Sequence, residues 1–396
     1  MNKTKLLWLS DSGLLCTGFS DQTKNILNHL TLNYNYDCYQ LGHSYMGQTL
    51  VPPITFEDGR QLHYKMLGMG KEAYCKDILQ QRIKELRPEL FGILLDTFML
   101  YPWLLSYDLS PAKTFFYYPS DGGGHLPLGC EAILKKVNLP IAMSKFAQKQ
   151  VKDVHGIDSE YIPHAVELEN YYPFTEEEKA KAKISFGLNP DDFVVGNVYR
   201  NQGRKFADRM FKIFADFSRY HQEAKLLLHT DPMDAAAVFD TINLIRRYKI
   251  ENRVKFTGMS YFKGWDYRLM KNVYNALDVK LDGTSGEGFG ITTIEAMACK
   301  VPVLITDYTT SKELIEEDGK CGELIKLNTE VVGSWNVDRG VCDIDDGVEK
   351  LEKLYNHERL RKTYGEVGRK KVEKYYGWDV VMPQWYNVLE RLKNNY

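Results

Sequence analysis

Short runs of apolar residues alternate along this chain with longer segments whose apolar residues lie three or four positions apart. In the first half, the apolar runs predict strands at 5–9, 36–42, 91–96, 114–118 and 139–144. The segments between them have helical spacing, as at Ile26, Leu27 and Leu30. Strands that alternate with amphipathic helices are typical of βαβ units built on a parallel sheet. The first half is therefore predicted to be an α/β domain.

The same alternation starts again after the acidic segment 173–183, where Thr175 is placed to cap a helix of good helix formers. The second set of predicted strands lies at 193–199, 225–229, 254–257, 279–282 and 301–306. The chain then ends in predicted helices at 346–355, 358–374 and 379–393. Two α/β domains in tandem are expected to enclose a cleft lined by the carboxyl ends of strands and the N-termini of helices.

Composition and charge narrow the class of protein. A length of 396 residues indicates two domains, and 51 Lys and Arg against 53 Asp and Glu leave no overall basic field for a polyanion or a membrane. The seven cysteines lack CxxC spacing, which favours reduced thiols over disulfides or a zinc site. The most apolar stretch, 90–105, is shorter than the roughly 20 residues that a membrane-spanning helix needs. We therefore expect a cytoplasmic protein.

The most informative segment is a glycine-rich loop between a predicted strand and a predicted helix, DGTSGEGFGITTIEAMACKVP at 282–302. Glycines let backbone amides approach a ligand closely, and a helix N-terminus favours phosphate. Glu287 in the loop and Glu295 in the helix are suited to accept hydrogen bonds from sugar or ribose hydroxyls. The alternative is an ordinary βα turn with solvated glutamates.

A second candidate follows the strand predicted at 193–199. Arg200 stands at the strand end and Lys205 in the next turn, where they are placed to converge on a diphosphate. Arginine offers a planar fork of donors and lysine a point charge, and both suit phosphate oxygens. The alternative is a solvated basic loop.

Three further positions are candidates for ligand contact. Asp121 follows an aromatic strand and precedes a glycine run, so it is either a carboxylate at the cleft or a turn-forming residue. His164 follows a short extended segment and is either a ligand contact or a packing residue. Gly18 lies between the first strand and the first helix, where it permits close backbone approach, and Ser20 is the expected N-cap.

A longer string, EGFGITTIEAMACKVPV at 287–303, closely resembles the E-x7-E signature of retaining GT-B glycosyltransferases of family four. This is the glycogen-synthase-like and phosphatidylinositol-mannosyltransferase-like group. The resemblance continues in YIPHAV at 161–166, in Arg200 and Lys205, in YTTSKEL at 308–314 and in GWD at 377–379. It implies a GT-B fold, in which two Rossmann-like domains face a cleft and a C-terminal helix crosses back to the first domain. The implied domains are 1–168 with 378–396, on the acceptor side, and 169–377, which binds the donor.

The resemblance also implies roles for the matching residues. Glu287 would contact hydroxyls of the donor sugar, and Glu295 would hold the ribose. The implied donor-binding set is Gly18, His164, Arg200, Lys205, Glu287, Gly288, Phe289, Gly290, Ile291, Thr292 and Glu295. The implied catalytic set is Asp121, Glu287, Arg200 and Lys205. Asp121 stands where many members have a catalytic-side histidine, and Lys300 replaces the usual glycine, which we expect to change only a helix end.

By this resemblance, the chain is a retaining transferase that moves a sugar from a UDP- or GDP-sugar to an acceptor hydroxyl. The diphosphate leaves and the acceptor attacks from the same face, while cations and a helix N-terminus stabilise the charge on the leaving group. No metal or other cofactor is expected. The acceptor is a glycan, lipid, protein or small molecule. A modified DNA base is an alternative, against which the near-neutral net charge weighs.

Two other classes of protein stay open on the sequence alone. A non-catalytic sugar-nucleotide-binding protein would keep the same residues without turnover. A nicotinamide oxidoreductase would share the α/β layout, but a dinucleotide fingerprint after the first strand is missing. The basic run 359–374 predicts a solvated helix face, with contact to an acidic membrane or a nucleic acid as the weaker alternative. The sequence does not indicate an oligomeric state.

Overall fold

The computed structural model describes residues 3–56, 59–260, 265 and 267–395. The chain divides into two compact units. The first unit comprises Met1–Ser120, His125–Ala165 and Asp379–Tyr396, and the second comprises Asp121–Gly124 and Val166–Trp378. Met1, Asn2 and Tyr396, which belong to the predicted first domain, lie outside the described residues.

The first unit is built on a parallel sheet. Its strands are β1 (Thr4–Asp11), β2 (Tyr36–His43), β3 (Ile54–Thr55), β4 (Gln61–Leu62), β5 (Lys65–Leu67), β6 (Leu90–Leu94), β7 (Lys113–Tyr118), β8 (Leu139–Ala142) and β9 (Glu160–Tyr161). Its helices are α1 (Gly18–Asn33), α2 (Leu79–Leu86), α3 (Thr97–Leu100), α4 (Cys130–Lys136) and α5 (Lys145–His155). The sheet order is β5-β2-β1-β6-β7-β8-β9, with parallel pairing, while β3 and β4 form a separate antiparallel pair. Leu6 to Leu9 are fully buried, as expected of a parallel strand covered on both faces.

Helix α1 begins earlier than the sequence indicates. Its N-cap is Thr17, whose hydroxyl accepts a hydrogen bond from the Ser20 amide at 3.1 Å. The Ser20 hydroxyl donates instead to the Leu15 carbonyl at 2.7 Å. The expectation that Ser20 caps this helix is therefore wrong, because the preceding threonine already satisfies the free amide.

The second unit repeats the design with a six-stranded parallel sheet. Its strands are β10 (Phe193–Val198), β11 (Ala224–His229), β12 (Val254–Phe256), β13 (Val279–Asp282), β14 (Val303–Thr306), β15 (Gly322–Ile325), β16 (Leu327–Val332) and β17 (Asp338–Cys342). Its helices are α6 (Glu176–Ser185), α7 (Ala207–Ser218), α8 (Thr241–Arg247), α9 (Met270–Asn275), α10 (Ile291–Ala298), α11 (Ser311–Ile315), α12 (Ile344–Asn356) and α13 (Glu358–Tyr375). The sheet order is β12-β11-β10-β13-β14-β15, and β16 and β17 form a separate antiparallel hairpin.

Local sequence signals set several features of the second unit. Thr175 caps α6 in a capping box with Glu178, as predicted. The buried face of α7 carries Met210, Phe211, Phe214 and Phe217. Short 3₁₀ turns lie at Ala73–Cys75 and Trp103–Ser106 in the first unit, and at Gly203–Lys205, Glu251–Arg253, Tyr267–Leu269 and Ser334–Asn336 in the second.

Lys300 lies just past the C-terminal end of α10 with a φ of 59°. That left-handed conformation is the one that glycine adopts most readily after a helix, which fits the glycine expected there. Lys300 therefore lies at the helix end, and the expectation that it changes only this end stays a prediction.

The basic run 359–374 forms α13, but part of it faces inward. Lys371 is 3% exposed and donates to the carbonyls of Leu314 and Gly319, each at 2.9 Å. Arg369 donates to the carbonyls of Tyr171 and Ala298. The expectation of a solvated helix face is therefore wrong for these two cations, which bind backbone carbonyls of neighbouring segments.

The last helix, α14, spans Trp378–Asn395. From Asp379 onward it belongs to the first unit, where Trp385 is fully buried. The Trp385 ring packs edge to face on Trp8 and Tyr117, with centroids 5.6 and 4.8 Å apart. In the described residues, no helix combines the length and the apolar character needed to cross a membrane. The seven cysteines are all free.

Candidate active site

The glycine-rich loop after β13 has a conformation that its glycines make accessible. Gly286 has a φ of 148°, and a Cβ atom at this position would lie 2.0 Å from the carbonyl oxygen of Asp121. Gly290, with a φ of 104°, is the N-cap of α10. Residues with side chains rarely adopt these angles, so the two glycines permit the path of the loop at both ends of the segment that carries Glu287.

Glu287 is a buried carboxylate, 6% exposed, held by two cations. Its Oε2 accepts a hydrogen bond from Arg204 Nη1 at 2.9 Å, and its Oε1 pairs with the Lys205 ammonium. Burial alone would raise the pKa of the Glu287 carboxyl, but Lys205 and Arg204 together hold it below its ordinary value. Glu287 is therefore ionised at neutral pH, beside an excess of positive charge.

The two cations belong to the 3₁₀ turn Gly203–Lys205, which is tied to the loop of Glu287 through its backbone. The Arg204 carbonyl accepts hydrogen bonds from the Ser285 amide at 2.7 Å and the Ser285 hydroxyl at 2.8 Å. The Thr284 hydroxyl donates to the same oxygen at 3.2 Å. These bonds fix the turn against the loop, so Arg204 and Lys205 reach Glu287 from a defined position.

Asp121 extends this arrangement into an ion-pair chain that consists of Glu287, Arg204, Asp121 and Arg339. Its Oδ2 lies 3.2 Å from Arg204 Nε, and its Oδ1 lies 3.1 Å from Arg339 Nη2. Arg339, on β17, also donates to the main-chain carbonyl of Asp121. The chain therefore connects Asp121 to Glu287 through a single guanidinium group.

Two other predicted residues of the second unit, Arg200 and Glu295, have partners outside the ion-pair chain of Glu287. Arg200 follows β10, and its Nε lies 3.5 Å from Asp234 Oδ2. Glu295, in α10, accepts a hydrogen bond from the Tyr274 hydroxyl at 2.5 Å. Burial and then the Glu295 charge raise the pKa of the Tyr274 phenol, which keeps it a hydrogen-bond donor.

The remaining loop positions frame the start of α10. Phe289 is 2% exposed, and its carbonyl accepts a hydrogen bond from the Thr310 hydroxyl at 2.8 Å. Gly288, Ile291 and Thr292 are partly exposed beside it. The glycine-rich loop leads directly into the first turn of α10. Backbone amides at such a junction form the arrangement that proteins use to bind phosphate.

Two predicted donor contacts belong to the first unit. Gly18 is exposed and is the first residue of α1. His164 is 2% exposed, and its Nδ1 lies 2.8 Å from the Tyr117 hydroxyl. Burial lowers the pKa of His164 to about 3, so the ring is neutral at physiological pH. The roles of these two residues in donor binding remain predictions.

Sequence reasoning missed three residues of this site. Arg204 stands next to Lys205 in the sequence, and Thr309, whose hydroxyl bonds the Glu287 backbone, lies inside the string YTTSKEL, so the neighbouring motifs point to both. Arg339 had no such signal, because it meets Asp121 across 218 positions of the chain. Among the described residues, no group of three or more His, Cys, Asp and Glu side chains could hold a metal ion.

Comparison with known proteins matches part of the chain to a family. The model of the family "Glycosyl transferases group 1" matches residues 178–371. The alpha-monoglucosyldiacylglycerol synthase of Acholeplasma laidlawii is 24% identical over 194 residues, which cover 48% of this chain and 46% of that protein. A GDP-mannose-dependent monoacylated alpha-(1-6)-phosphatidylinositol monomannoside mannosyltransferase of Corynebacterium glutamicum is 23% identical over 282 residues, 68% of this chain and 67% of the relative. The chain thus spans just under half the length of the first relative.

Solved structures show the fold. Sucrose-phosphate synthase from Thermosynechococcus elongatus has a TM-score of 0.76 at 16% identity, with all of both chains covered. Anabaena Alr3699/HepE, solved in complex with UDP and glucose, has a TM-score of 0.73 at 15% identity over 98% of this chain and 99% of that one. Residues 178–371 therefore form a group 1 glycosyltransferase domain, and the chain has the GT-B fold, with two Rossmann-like domains.

Proposed function

We propose that this protein is a retaining glycosyltransferase that moves a sugar from a UDP- or GDP-sugar to an acceptor hydroxyl. The observation that carries the proposal is the buried Glu287 carboxylate, paired with Lys205 and Arg204 at the glycine-rich entrance to α10. A carboxylate that accepts hydrogen bonds suits sugar hydroxyls, while neighbouring cations and helix amides suit a diphosphate.

The names of similar proteins support either UDP or GDP as the nucleotide of the donor. The relative from Corynebacterium glutamicum is named as GDP-mannose-dependent, whereas the structure of Anabaena Alr3699/HepE contains UDP. In our proposal Glu295 holds the ribose, and Arg200 and Lys205 contact the diphosphate. The acceptor is a hydroxyl of a glycan, lipid, protein or small molecule, and the reaction needs no metal.

The proposed reaction breaks the bond between the anomeric carbon and the diphosphate oxygen, which keeps the electron pair. The acceptor oxygen forms the new bond on the same face of the sugar, and its proton passes to the departing phosphate. Arg200, Lys205 and the N-terminus of α10 stabilise the charge that grows on the leaving group, which is usually the largest catalytic contribution. Asp121 contacts the sugar near its reacting carbon.

Binding of the nucleotide is the direct test. UDP or GDP is expected to raise the melting temperature in the presence of EDTA, since a ligand at about 100 times its Kd adds roughly 2.7 kcal/mol of stability. Differential scanning fluorimetry with UDP, GDP, ADP and NADH identifies the base, and NADH should have no effect. Failure of every nucleoside diphosphate to shift the transition, with and without Mg²⁺, would contradict the proposed donor site. Donor hydrolysis then separates an enzyme from a non-catalytic binding protein.

A double-mutant cycle tests the role of Asp121. Asp121→Asn and Arg339→Ala are each expected to lower kcat about tenfold, because each removes a hydrogen bond to a charged group worth roughly 1.5–3 kcal/mol. The double variant should lose little more than either single one, since Arg339 is expected to act through Asp121.

Arg359→Ala, on an exposed part of α13, is the control and should keep wild-type kcat. Additive losses in the cycle would show that Arg339 acts independently of Asp121. Wild-type kcat in Asp121→Asn would remove Asp121 from the reaction.

A further inference from the structure

Thr309 has a backbone conformation that threonine rarely adopts. It lies between β14 and α11 with a φ of 50°. For a β-branched residue this left-handed angle is unfavourable, since the side chain crowds its own carbonyl group. Such outliers persist only where the surrounding structure holds them, and they are concentrated at functional sites.

The side chain of Thr309 binds the backbone of Glu287 twice. Its hydroxyl oxygen accepts a hydrogen bond from the Glu287 amide at 2.9 Å and donates one to the Glu287 carbonyl at 3.0 Å. The next residue, Thr310, is 1% exposed and donates to the Phe289 carbonyl at 2.8 Å. Two consecutive hydroxyls therefore hold the loop on both sides of Gly288.

The hydrogen bonds from Thr309 restrain a loop that its glycines leave flexible. Gly286, Gly288 and Gly290 give the backbone around Glu287 more freedom than any other residue type would. Arg204 and Lys205 belong to one 3₁₀ turn and bind the Glu287 carboxylate, so the main chain must be fixed separately for the side chain to hold one position. A glycine at position 309 would adopt the same φ without strain, but it has no hydroxyl to bind Glu287.

We propose that Thr309 is a positioning residue for the transfer reaction, which holds the main chain of Glu287 so that its carboxylate meets the donor sugar. The threonine keeps its strained angle because its hydroxyl is needed at this point. The inference rests on the proposed function, in which Glu287 contacts the sugar. We therefore expect loss of the Thr309 hydroxyl to lower kcat and to have little effect on the affinity for the bare nucleotide.

Three substitutions separate the hydroxyl from the strain. Thr309→Ser keeps the hydroxyl and is expected to keep kcat within about twofold of wild type. Thr309→Ala removes it and should lower kcat about tenfold, the effect of two lost hydrogen bonds, with the Kd for UDP or GDP unchanged by calorimetry. Thr309→Gly should melt at a higher temperature than Thr309→Ala, since both lack the hydroxyl and only glycine relaxes at positive φ.

Thr114→Ala is the matched control. This threonine is 4% exposed, and its hydroxyl also makes two bonds, to the Asn138 amide and the Asn138 Oδ1, each at 3.0 Å. We expect it to lower the melting temperature without changing kcat. Wild-type kcat in Thr309→Ala would overturn the inference, and so would equal losses in Thr309→Ser and Thr309→Ala. A fully active Glu287→Gln enzyme would instead refute the proposed function on which the inference rests.

Discussion

Glu287→Gln is expected to lower kcat by about ten- to hundredfold while the folded protein binds the free nucleoside diphosphate nearly as well as wild type. A hydrogen bond to a charged group is worth roughly 1.5–3 kcal/mol, and in our proposal Glu287 makes such bonds to the donor sugar. An interaction that strengthens in the transition state affects turnover more than affinity. Steady-state kinetics and calorimetry measure the two quantities separately.

Glu295→Gln is the matched comparison, because it makes the same chemical change eight positions away in α10. If Glu295 holds the ribose, its contact is present throughout the reaction, so the variant should weaken nucleotide binding about tenfold with a smaller effect on kcat. The reverse pattern, in which Glu287→Gln abolishes nucleotide binding and Glu295→Gln leaves it intact, would show that the two roles are exchanged.

Glu287→Gln also removes one charge from a buried cluster, so its fold must be checked. The neutral amide would remove the carboxylate that pairs with Lys205, while Arg204 would still pair with Asp121, and loss of one partner of a buried ion pair destabilises a protein. A thermal melt of each variant, with and without nucleotide, separates loss of fold from loss of chemistry.

Lys205→Ala is expected to lower kcat by about a hundredfold, the usual range for loss of a group that stabilises transition-state charge. The cost in stability should be smaller, about 1–3 kcal/mol, because Arg204 still pairs with Glu287 after the ammonium is gone. Lys205→Arg keeps the charge and should recover part of kcat. Parallel loss of stability and activity in Lys205→Ala, with no recovery in Lys205→Arg, would assign Lys205 a purely structural role.

The same variant should change the response of the fold to acid. Lys205 and Arg204 hold the pKa of Glu287 below its ordinary value, against the opposing effect of burial. A carboxyl whose pKa is lower in the folded state adds stability above its unfolded pKa of about 4.3, and this stability disappears as the pH falls toward the folded value. Loss of Lys205 raises the pKa of Glu287 in the folded state. The free energy of unfolding should therefore fall less steeply than in wild type as the pH drops below about 4.5. Urea titrations from about pH 3 to 7 measure this difference against wild type.

The amino-acid sequence determined those features that depend on short stretches of chain. Apolar runs located the strands that we predicted, because a strand of a parallel sheet is buried on both faces wherever it packs. Thr175 and Glu178 formed the expected capping box, since both partners lie within one turn. The glycine pattern at 286–290 likewise predicted a loop that leads into a helix, as found.

Tertiary structure decided which charges meet. Arg204, Asp121 and Arg339 come together from three distant parts of the sequence, and their ion pairs depend on the final position of each backbone segment. Arg200 and Lys205 are five residues apart, yet the structure gives them different carboxylate partners, Asp234 and Glu287. The strain at Thr309 is also invisible in the sequence, because a positive φ at threonine arises only when the hydrogen bonds of the folded loop outweigh its local preference.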